Sequence, residues 1–483
     1  MNIVSLLDVL VKALMDAEER FFDNPEDFYS LEKAVKISTE AFAAGFLGAV
    51  LSGMDEQICR SSWRDGKYSI QRRDTRTLIS TVGDVTFDCT YFKRLSGGYI
   101  YLLENLAGFS KNGRFTEGAE AALLTEALKT SYREAAAVLP SKQQVTKTTV
   151  MNKVHRLAGE VPYEGPEEKK EAQYLFIEAD EDHVAEQHGK ATEAGGSKGF
   201  LSKLVYIYEC KQEAPGCAAR KELAGSFYFG GLYAGKEGNE KLWGEVQEYI
   251  DRTYDTDRLK RVFVSGDGAP WIKSGAGYLD RALFCADKFH LMKYISRAAA
   301  QMPDEKDRVK EELWHILYSQ KPKARKRFGE YTGKLLEEAG KPEAVEELRK
   351  YVLGNWAAVR RTLKNKLVEG CSAEGHVSHV LSARLSSRPM GWSRTGADRM
   401  SRLRCYERNY GREGIIGLVR YSRAQWKLKA AGADSVPVRE ISLREIRAEH
   451  YDQAKSYIER LQAHIPGVTA KKTAAVRTHL RLL

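Results

Sequence analysis

Two apolar runs that each end on an aspartate constrain this chain most. YLFIEAD (174–180) and RVFVSGDG (261–268) have the continuous apolar character of buried strands, and each breaks into polar sequence at an acid. Between them lie two more strand-like runs, KLVYIYEC (203–210) and SFYFGGLY (226–233), and an amphipathic helical stretch, LWGEVQEYIDRTY (242–254). A short run, ALFCAD (282–287), follows and leads into FHLMKYISRAA. The order is β-β-β-α-β-α-β, with a βαβ crossover in its second half, and it predicts an α/β fold. Sites in open sheets form at strand ends. Asp180 and Asp267 are therefore candidate partners if their strands are neighbours.

Two such carboxylates can share a divalent cation. Mg²⁺ takes hard oxygen ligands and keeps several waters, so two or three acids suffice. A third acid would complete a two-metal site for in-line attack on phosphodiesters. For either aspartate alone the plainer reading is a strand end or a turn cap; the pair on this strand order favours chemistry. Glu374, in GCSAEGHVSHVLSARLSSRPMGWS, follows a long helical stretch and opens a helix. It is the third candidate, against the plainer alternative of a solvated helix-start glutamate. Glu178 and Asp182 flank Asp180 at i±2 and share its face on an extended strand. The residues alone leave open which of the three is the first ligand. His183 and His188 match no metal-site spacing and are expected to be solvated. GGLYAGK (230–236) nearly matches a phosphate-cradling loop, but Glu237 stands where a Ser or Thr would bind Mg²⁺, so the match is read as coincidence.

Elsewhere the chain is mainly helical. Residues 1–60 read as helix with loop chemistry at Asn24-Pro25, and 76–92 alternate as a hairpin about Gly83-Asp84. Residues 117–157 have helix-turn-helix character. One helix is expected to end at Pro140, a polar turn to span Ser141 to Gln144, and a second helix to open at Thr146. That helix carries Lys147, Thr148, Thr149, Asn152, Lys153 and Arg156, side chains suited to base edges and phosphates. The plainer reading is two ordinary helices with a solvated basic face. Residues 161–172 read as a linker and 300–365 as charged helices. Residues 384–427 hold 11 Lys+Arg against 3 Asp+Glu, interleaved with Trp392, Tyr406, Tyr410, Tyr421 and Trp426. Arginines neutralise phosphates and aromatics stack on unpaired bases. Arg384, Arg388, Trp392 and Arg394 lie just beyond Glu374 and are candidate DNA contacts.

The net charge of +10 fits a polyanionic partner, and 43% hydrophobic residues exclude a mainly disordered chain. The 7 cysteines are odd in number, scattered and without a C-x-x-C, which argues against a disulfide framework or a zinc ribbon. The start, MNIVSLLDVLVKALMDAEERFF, carries Asp8 and Lys12 and lacks a basic n-region. No run is read as reaching the roughly 20 apolar residues of a bilayer span. The expectation is a soluble cytoplasmic protein without a membrane segment.

IEADEDHVAEQ, FVSGDGAPWIK, FCADKFHLMKYI and CSAEGHVSHVLSARLSSRPMGWS together resemble the bacterial insertion-sequence transposases of the ISLre type, relatives of the Mutator-like DDE transposases. The resemblance spans most of the chain, 75–480. It implies an RNase H-like catalytic core, a mixed sheet with flanking helices, interrupted by a helical insertion and preceded by a mainly helical DNA-binding region. The implied layout is a helical region at 1–72, hairpin and helix-turn-helix at 73–160, core at 173–299, insertion at 300–365, final core part at 366–400, and a basic helical region at 401–483. It makes Asp180, Asp267 and Glu374 the catalytic triad and ligands of two Mg²⁺ or Mn²⁺ ions. The implied partners are the element's terminal inverted repeats, target DNA and further copies of the chain, at least a dimer. The implied place of action is chromosomal or plasmid DNA in a bacterial cytoplasm. Cys285 and His290 match a Cys and a His that follow the second aspartate in the wider superfamily; Cys285 is expected in the core and His290 near DNA or metal. Two alternatives stay open: a transposase-derived regulator that binds without chemistry, and a nuclease that never joins strands.

Overall fold

The computed structural model describes residues 3–109, 113–187, 199–388 and 390–430. The chain forms two compact units. Of the described residues, one unit comprises 3–153 with 419–430 and the other Val154–Leu418.

In the first unit, helices Ile3–Asp23 and Phe28–Arg60 meet at the expected Asn24-Pro25 turn, where Asp27 caps the second helix by accepting from Ser30 N at 3.0 Å. Strands β1 (Tyr68–Ser80) and β2 (Gly83–Arg94) form the expected hairpin, and β3 (Tyr99–Tyr101) extends it. Helix Phe28–Arg60 lies against β2 so closely that a Cβ at Gly48 would collide with the Thr86 carbonyl oxygen. Ser52 Oγ accepts from Asp88 N at 3.0 Å. Buried Asp55 accepts from Thr90 N at 2.9 Å and Thr90 Oγ1 at 2.5 Å. This helix is long and apolar enough to cross a membrane by length and composition, which corrects the sequence reading that no stretch is. Ala44, Ile58 and Cys59 of this helix are buried in the core with the hairpin, while Val35, Ile37, Phe46 and Leu47 are exposed.

The helix-turn-helix region differs from expectation in its first half. Thr116 caps Glu117–Ala127, and a Ser131/Glu134 capping box opens Tyr132–Ala135. That helix stops well short of Pro140, and the turn is held by Asp84, which accepts from Ser141 Oγ at 2.5 Å and Lys142 N at 3.0 Å. The second helix, Lys147–His155, begins where expected, with Thr146 Oγ1 accepting from Thr149 N at 3.2 Å.

The second unit is α/β on a mixed sheet. Its strands are β4 (Tyr174–Ala185), β5 (Gly199–Tyr208), β8 (Phe227–Gly231), β9 (Arg261–Gly266) and β10 (Ala282–Ala286), in the order β10-β9-β4-β5-β8. β4, β9 and β10 are parallel; β5 is antiparallel to β4, and β8 to β5. A separate hairpin of β6 (Cys210–Ala214) and β7 (Cys217–Ala224) hangs between β5 and β8. One face of the sheet packs Ile177, Ala179, Val205 and Val264 against Trp243, Val246 and Ile250 of helix Gly235–Thr253 and Ile272 of helix Pro270–Tyr278. Gly230 and Gly231 belong to β8 and Gly235 opens the helix, so GGLYAGK is split between a strand and a helix start.

After β10 come five helices, Lys288–Ala299, Lys306–Tyr318, Ala324–Glu338, Pro342–Gly354 and Trp356–Lys364, around a core of their own that includes Leu291, Leu313, Phe328, Leu348 and Val352. Glu374 follows, on helix Ala373–Val377. That helix runs on through a π-helical turn, Ser378–Ser382, into Ala383–Leu385. A long helix, Arg394–Ala430, crosses the boundary expected at 400 and breaks at Gly411, where φ is +69°. The remainder of the expected C-terminal region, and His188, lie outside the described residues.

Candidate active site

Three parallel strands bring an acid to one level of the sheet: Asp180 inside β4, which runs on to Ala185 past the strand end expected at 180, Asp267 just after β9 and Asp287 just after β10. β9 ends at Gly266, where a Cβ would stand 2.8 Å from Ala179 O, so the glycine permits close contact with β4. The chain then leaves the sheet through Asp267, whose Oδ1 accepts from Ala269 N at 2.8 Å, and through Gly268 at φ +95°. On β4, Asp180 accepts from Glu181 N at 2.8 Å. Burial pushes its carboxyl up to about 6, and the charge of Asp267 adds to the rise while His290 opposes it. The two aspartates thus stand in each other's field, on neighbouring parallel strands.

Asp287, which the sequence reading passed over as the last letter of ALFCAD, ends β10. It is buried and donates its N–H to Gly266 O at 2.9 Å. Its carboxylate caps helix Lys288–Ala299 by accepting from Phe289 N at 2.8 Å, and it meets His290 Nδ1 at 2.6 Å. That bond holds the imidazole pKa above its usual value, and Asp267 and Asp180 raise it further. The signal was available as an apolar strand ending in D-x-x-H. Cys285 is fully buried and its thiol is pushed up to about 11 by burial, so it stays a protonated core residue.

The three same-facing acids of β4 have different surroundings. Glu178 is buried, and both its oxygens are covered by donors. Oε1 accepts from Tyr208 Oη at 2.7 Å and faces Lys211 Nζ at 3.2 Å; Oε2 accepts from Tyr206 Oη, from Ser372 N at 2.6 Å and from Ser372 Oγ at 3.0 Å. Burial works to raise its pKa, but Lys211 and the hydroxyl and N–H donors outweigh it and hold the group ionised. Asp182 is also buried, and Ser386 Oγ reaches its two oxygens at 2.8 and 2.9 Å. Burial raises its carboxyl, against the pull of the Ser386 and Ser382 hydroxyls. Among the described residues, Asp180 accepts from one main-chain N–H, that of Glu181.

Glu374 is exposed in the first turn of its helix. Among the described residues, no three His, Cys, Asp or Glu side chains are gathered as a metal cluster. The donor set nevertheless fits a hard divalent cation: the charge of Asp267 raises the cost of ionising Asp180, and a cation between the two carboxylates would relieve it. The nearby sulfurs, those of Cys285 and Cys371, belong to thiols whose pKa burial raises, which does not suit a soft-metal site.

The expected DNA contacts divide. Lys147, Thr148 and Asn152 are exposed. Lys153 is half-buried and pairs with Glu120 at 3.0 Å, a carboxylate that also binds Arg423 at 2.7 Å. Arg388 is exposed, and Arg394, also exposed, forks onto Glu186 at 2.9 and 3.3 Å. Arg384 and Trp392 require correction. Both are buried, with the guanidinium 4.8 Å from the indole ring centre, and Trp392 Nε1 donates to Leu385 O at 3.1 Å. Trp392 also bridges to the end of β4, donating N–H to Ala185 O and accepting from Gln187 N, each at 2.9 Å. They fasten the helix segment to the sheet and offer no surface to DNA. His183 is exposed, as expected.

Comparison with known proteins matches residues 22–420 to the model of an uncharacterised protein family, UPF0236. Two similar proteins come from Caldanaerobacter subterraneus subsp. tengcongensis. One UPF0236 protein, whose name spans eleven loci, is 32% identical over 403 residues, 83% of this chain and 82% of its own length. Another, spanning four loci, is 33% identical over 380 residues, 78% of this chain and 77% of its own. Among solved structures, the Drosophila P element transposase strand transfer complex aligns over 73% of this chain and 93% of that chain, at 10% identity and a TM-score of 0.22. A superposition at that level defines no common fold.

Proposed function

The chain belongs to the UPF0236 family, and from the site described above we propose that it is the DDE transposase of a bacterial insertion element. The observation that carries this reading is the pairing of Asp180 and Asp267 in one electrostatic field at adjacent parallel strands. The strand order β10-β9-β4-β5-β8, with only β5 running against its neighbours, supports an RNase H-like core. The five helices between β10 and Glu374 are read as its insertion. Relatives that recur at many loci of one genome are consistent with a mobile element.

Asp180, Asp267 and Glu374 would hold two Mg²⁺ or Mn²⁺ ions. When bound, the ions supply charge stabilisation at the reacting phosphate and lower the pKa of the attacking hydroxyl group. The chain's own residues do the rest. Asp287 holds His290 beside the aspartates, where its imidazole can contact the phosphate backbone. Lys147, Thr148 and Asn152 would contact the terminal repeats through base edges and phosphates. Water attacks the phosphodiester at the element end, the bond to the 3′ oxygen breaks, and a 3′-hydroxyl is freed. That hydroxyl then attacks a target phosphodiester as the target's own 3′ oxygen departs. Holding two ends at once calls for at least two copies of the chain.

Strand transfer separates this reading from a simple nuclease. Duplexes with pre-cleaved element ends, incubated with the protein, Mg²⁺ and a supercoiled plasmid, should yield joined product. Nicked ends without joining would assign the chain to hydrolysis alone, and binding with neither reaction would assign it to regulation.

A further inference from the structure

Glu178 is a buried carboxylate that the reaction does not use, two residues from Asp180 on the same face of β4. We propose that Glu178 is a positioning residue: it fixes where the helix carrying Glu374 stands relative to Asp180. The proposal rests on the transposase reading and says how that site is held in shape.

The geometry is a set of ties on both sides of Glu374. Before it, Ser372 gives its N–H and its hydroxyl to Glu178 Oε2. Lys211, from the β6–β7 hairpin, faces Glu178 Oε1 and donates to Gly370 O at 3.0 Å, tying the approach to the helix as well. After it, His376 stacks on Tyr206 with ring centres 4.3 Å apart, and its Nδ1 meets Tyr228 Oη at 3.1 Å. Tyr206 also bonds to Glu178, so the two ties share one carboxylate. Glu374 lies midway, two residues from each fixed neighbour, and is exposed. With both oxygens covered by hydroxyl, amide and ammonium donors, Glu178 has no face left for a cation. A buried polar network whose members are all satisfied holds its groups in one arrangement. Asp182, bonded to Ser386 beyond the π-helical turn, repeats the device at the far end of the segment. π-Helical turns recur at functional sites.

The test compares the full-length chain with Glu178→Gln and Tyr206→Phe. Four quantities are read: kcat and KM for nicking a labelled duplex bearing the element's end, the Mg²⁺ concentration at half-maximal rate, and Mn²⁺ binding to DNA-free protein by EPR. Outer-shell losses of this kind cost about 10- to 100-fold, so kcat should fall about 100-fold for Glu178→Gln and about 10-fold for Tyr206→Phe. KM for DNA should stay within about twofold, because uniform DNA binding is untouched. Mn²⁺ binding should weaken in step with the rise in half-saturating Mg²⁺. If Glu178→Gln fails to fold cooperatively, Tyr206→Phe, which deletes one oxygen, carries the test. Unchanged kcat and Mn²⁺ binding in a folded variant overturns the proposal, as does a fall in activity that only tracks a lower melting temperature. A wild-type chain that neither nicks nor binds Mn²⁺ defeats the transposase reading itself, a result distinct from a variant that behaves like an active wild type.

Discussion

Asp287 meets His290 Nδ1 at 2.6 Å, and the same carboxylate caps the helix on which that histidine sits. One side chain therefore fixes both the helix start and the ring. The imidazole is directed into the field of Asp180 and Asp267. Replacing Asp287 by Ala should leave His290 unheld and lower the nicking rate about 10- to 100-fold, as for other residues that orient a site. End binding in a gel-shift assay should remain. A variant that nicks at the wild-type rate would remove His290 and Asp287 from the account.

The exposed residues of helix Lys147–His155 predict a division of labour in DNA binding. Lys147→Ala should weaken binding to all duplexes and lower the slope of log K against log salt by about 1. Asn152→Ala should instead cost about 1–3 kcal/mol on the element's own ends, with little change on unrelated DNA. Titrations at several salt concentrations on both duplexes read the two effects separately. Equal losses on both DNAs for Asn152→Ala would mean this helix reads no base.

Trp392 and Arg384 should behave as interior residues. Trp392→Ala removes a buried indole and its bond to Leu385, and should destabilise the fold by about 3–5 kcal/mol in urea unfolding. Arg388→Ala, at an exposed position in the same segment, should stay within about 0.5 kcal/mol. Comparable stabilities for the two variants would contradict the packing described.

Asp55 gives a pH dependence. Burial raises its carboxyl pKa, opposed by the two bonds from Thr90 and by Arg73. A group whose folded pKa lies above its unfolded one binds more protons when folded. Its contribution to stability is greatest below the unfolded pKa and falls as pH rises through the folded value. Asp55→Asn cannot ionise, yet its amide can still accept from Thr90 N and donate to Thr90 Oγ1. The variant should lack this part of the acid-range slope in chemical denaturation, and should gain stability relative to wild type as pH rises. A wild-type slope unchanged by the substitution would show that Asp55 is not its source.

The strand pair was legible because a strand covered on both faces needs an uninterrupted apolar run, and the acid that ends such a run is conspicuous. That their strands are neighbours stood only as a condition in the sequence, and the parallel pairing of β4 with β9 meets it. The role of each acid on β4 was not legible. Glu178, Asp180 and Asp182 alternate on one face, and what distinguishes them are Ser372 and Ser386, which lie 194 and 204 residues away from their partners. Arg384 and Trp392 show the opposite failure. Arginine beside tryptophan serves a nucleic-acid surface or an interior cation–π pair equally well, and composition does not choose. The β6–β7 hairpin escaped notice because its residues are mostly small or charged and show no sustained apolar alternation. It nevertheless supplies Lys211 to the Glu178 network.

The most direct measurement is Mg²⁺-dependent nicking of labelled DNA carrying the element's own ends, taken from the sequence flanking the gene, by wild type and by Asp267→Asn. The account predicts nicks at the ends by wild type only, with end binding retained in both. Equal cleavage by Asp267→Asn would contradict it, because the paired carboxylates of Asp180 and Asp267 would then not be where the chemistry occurs.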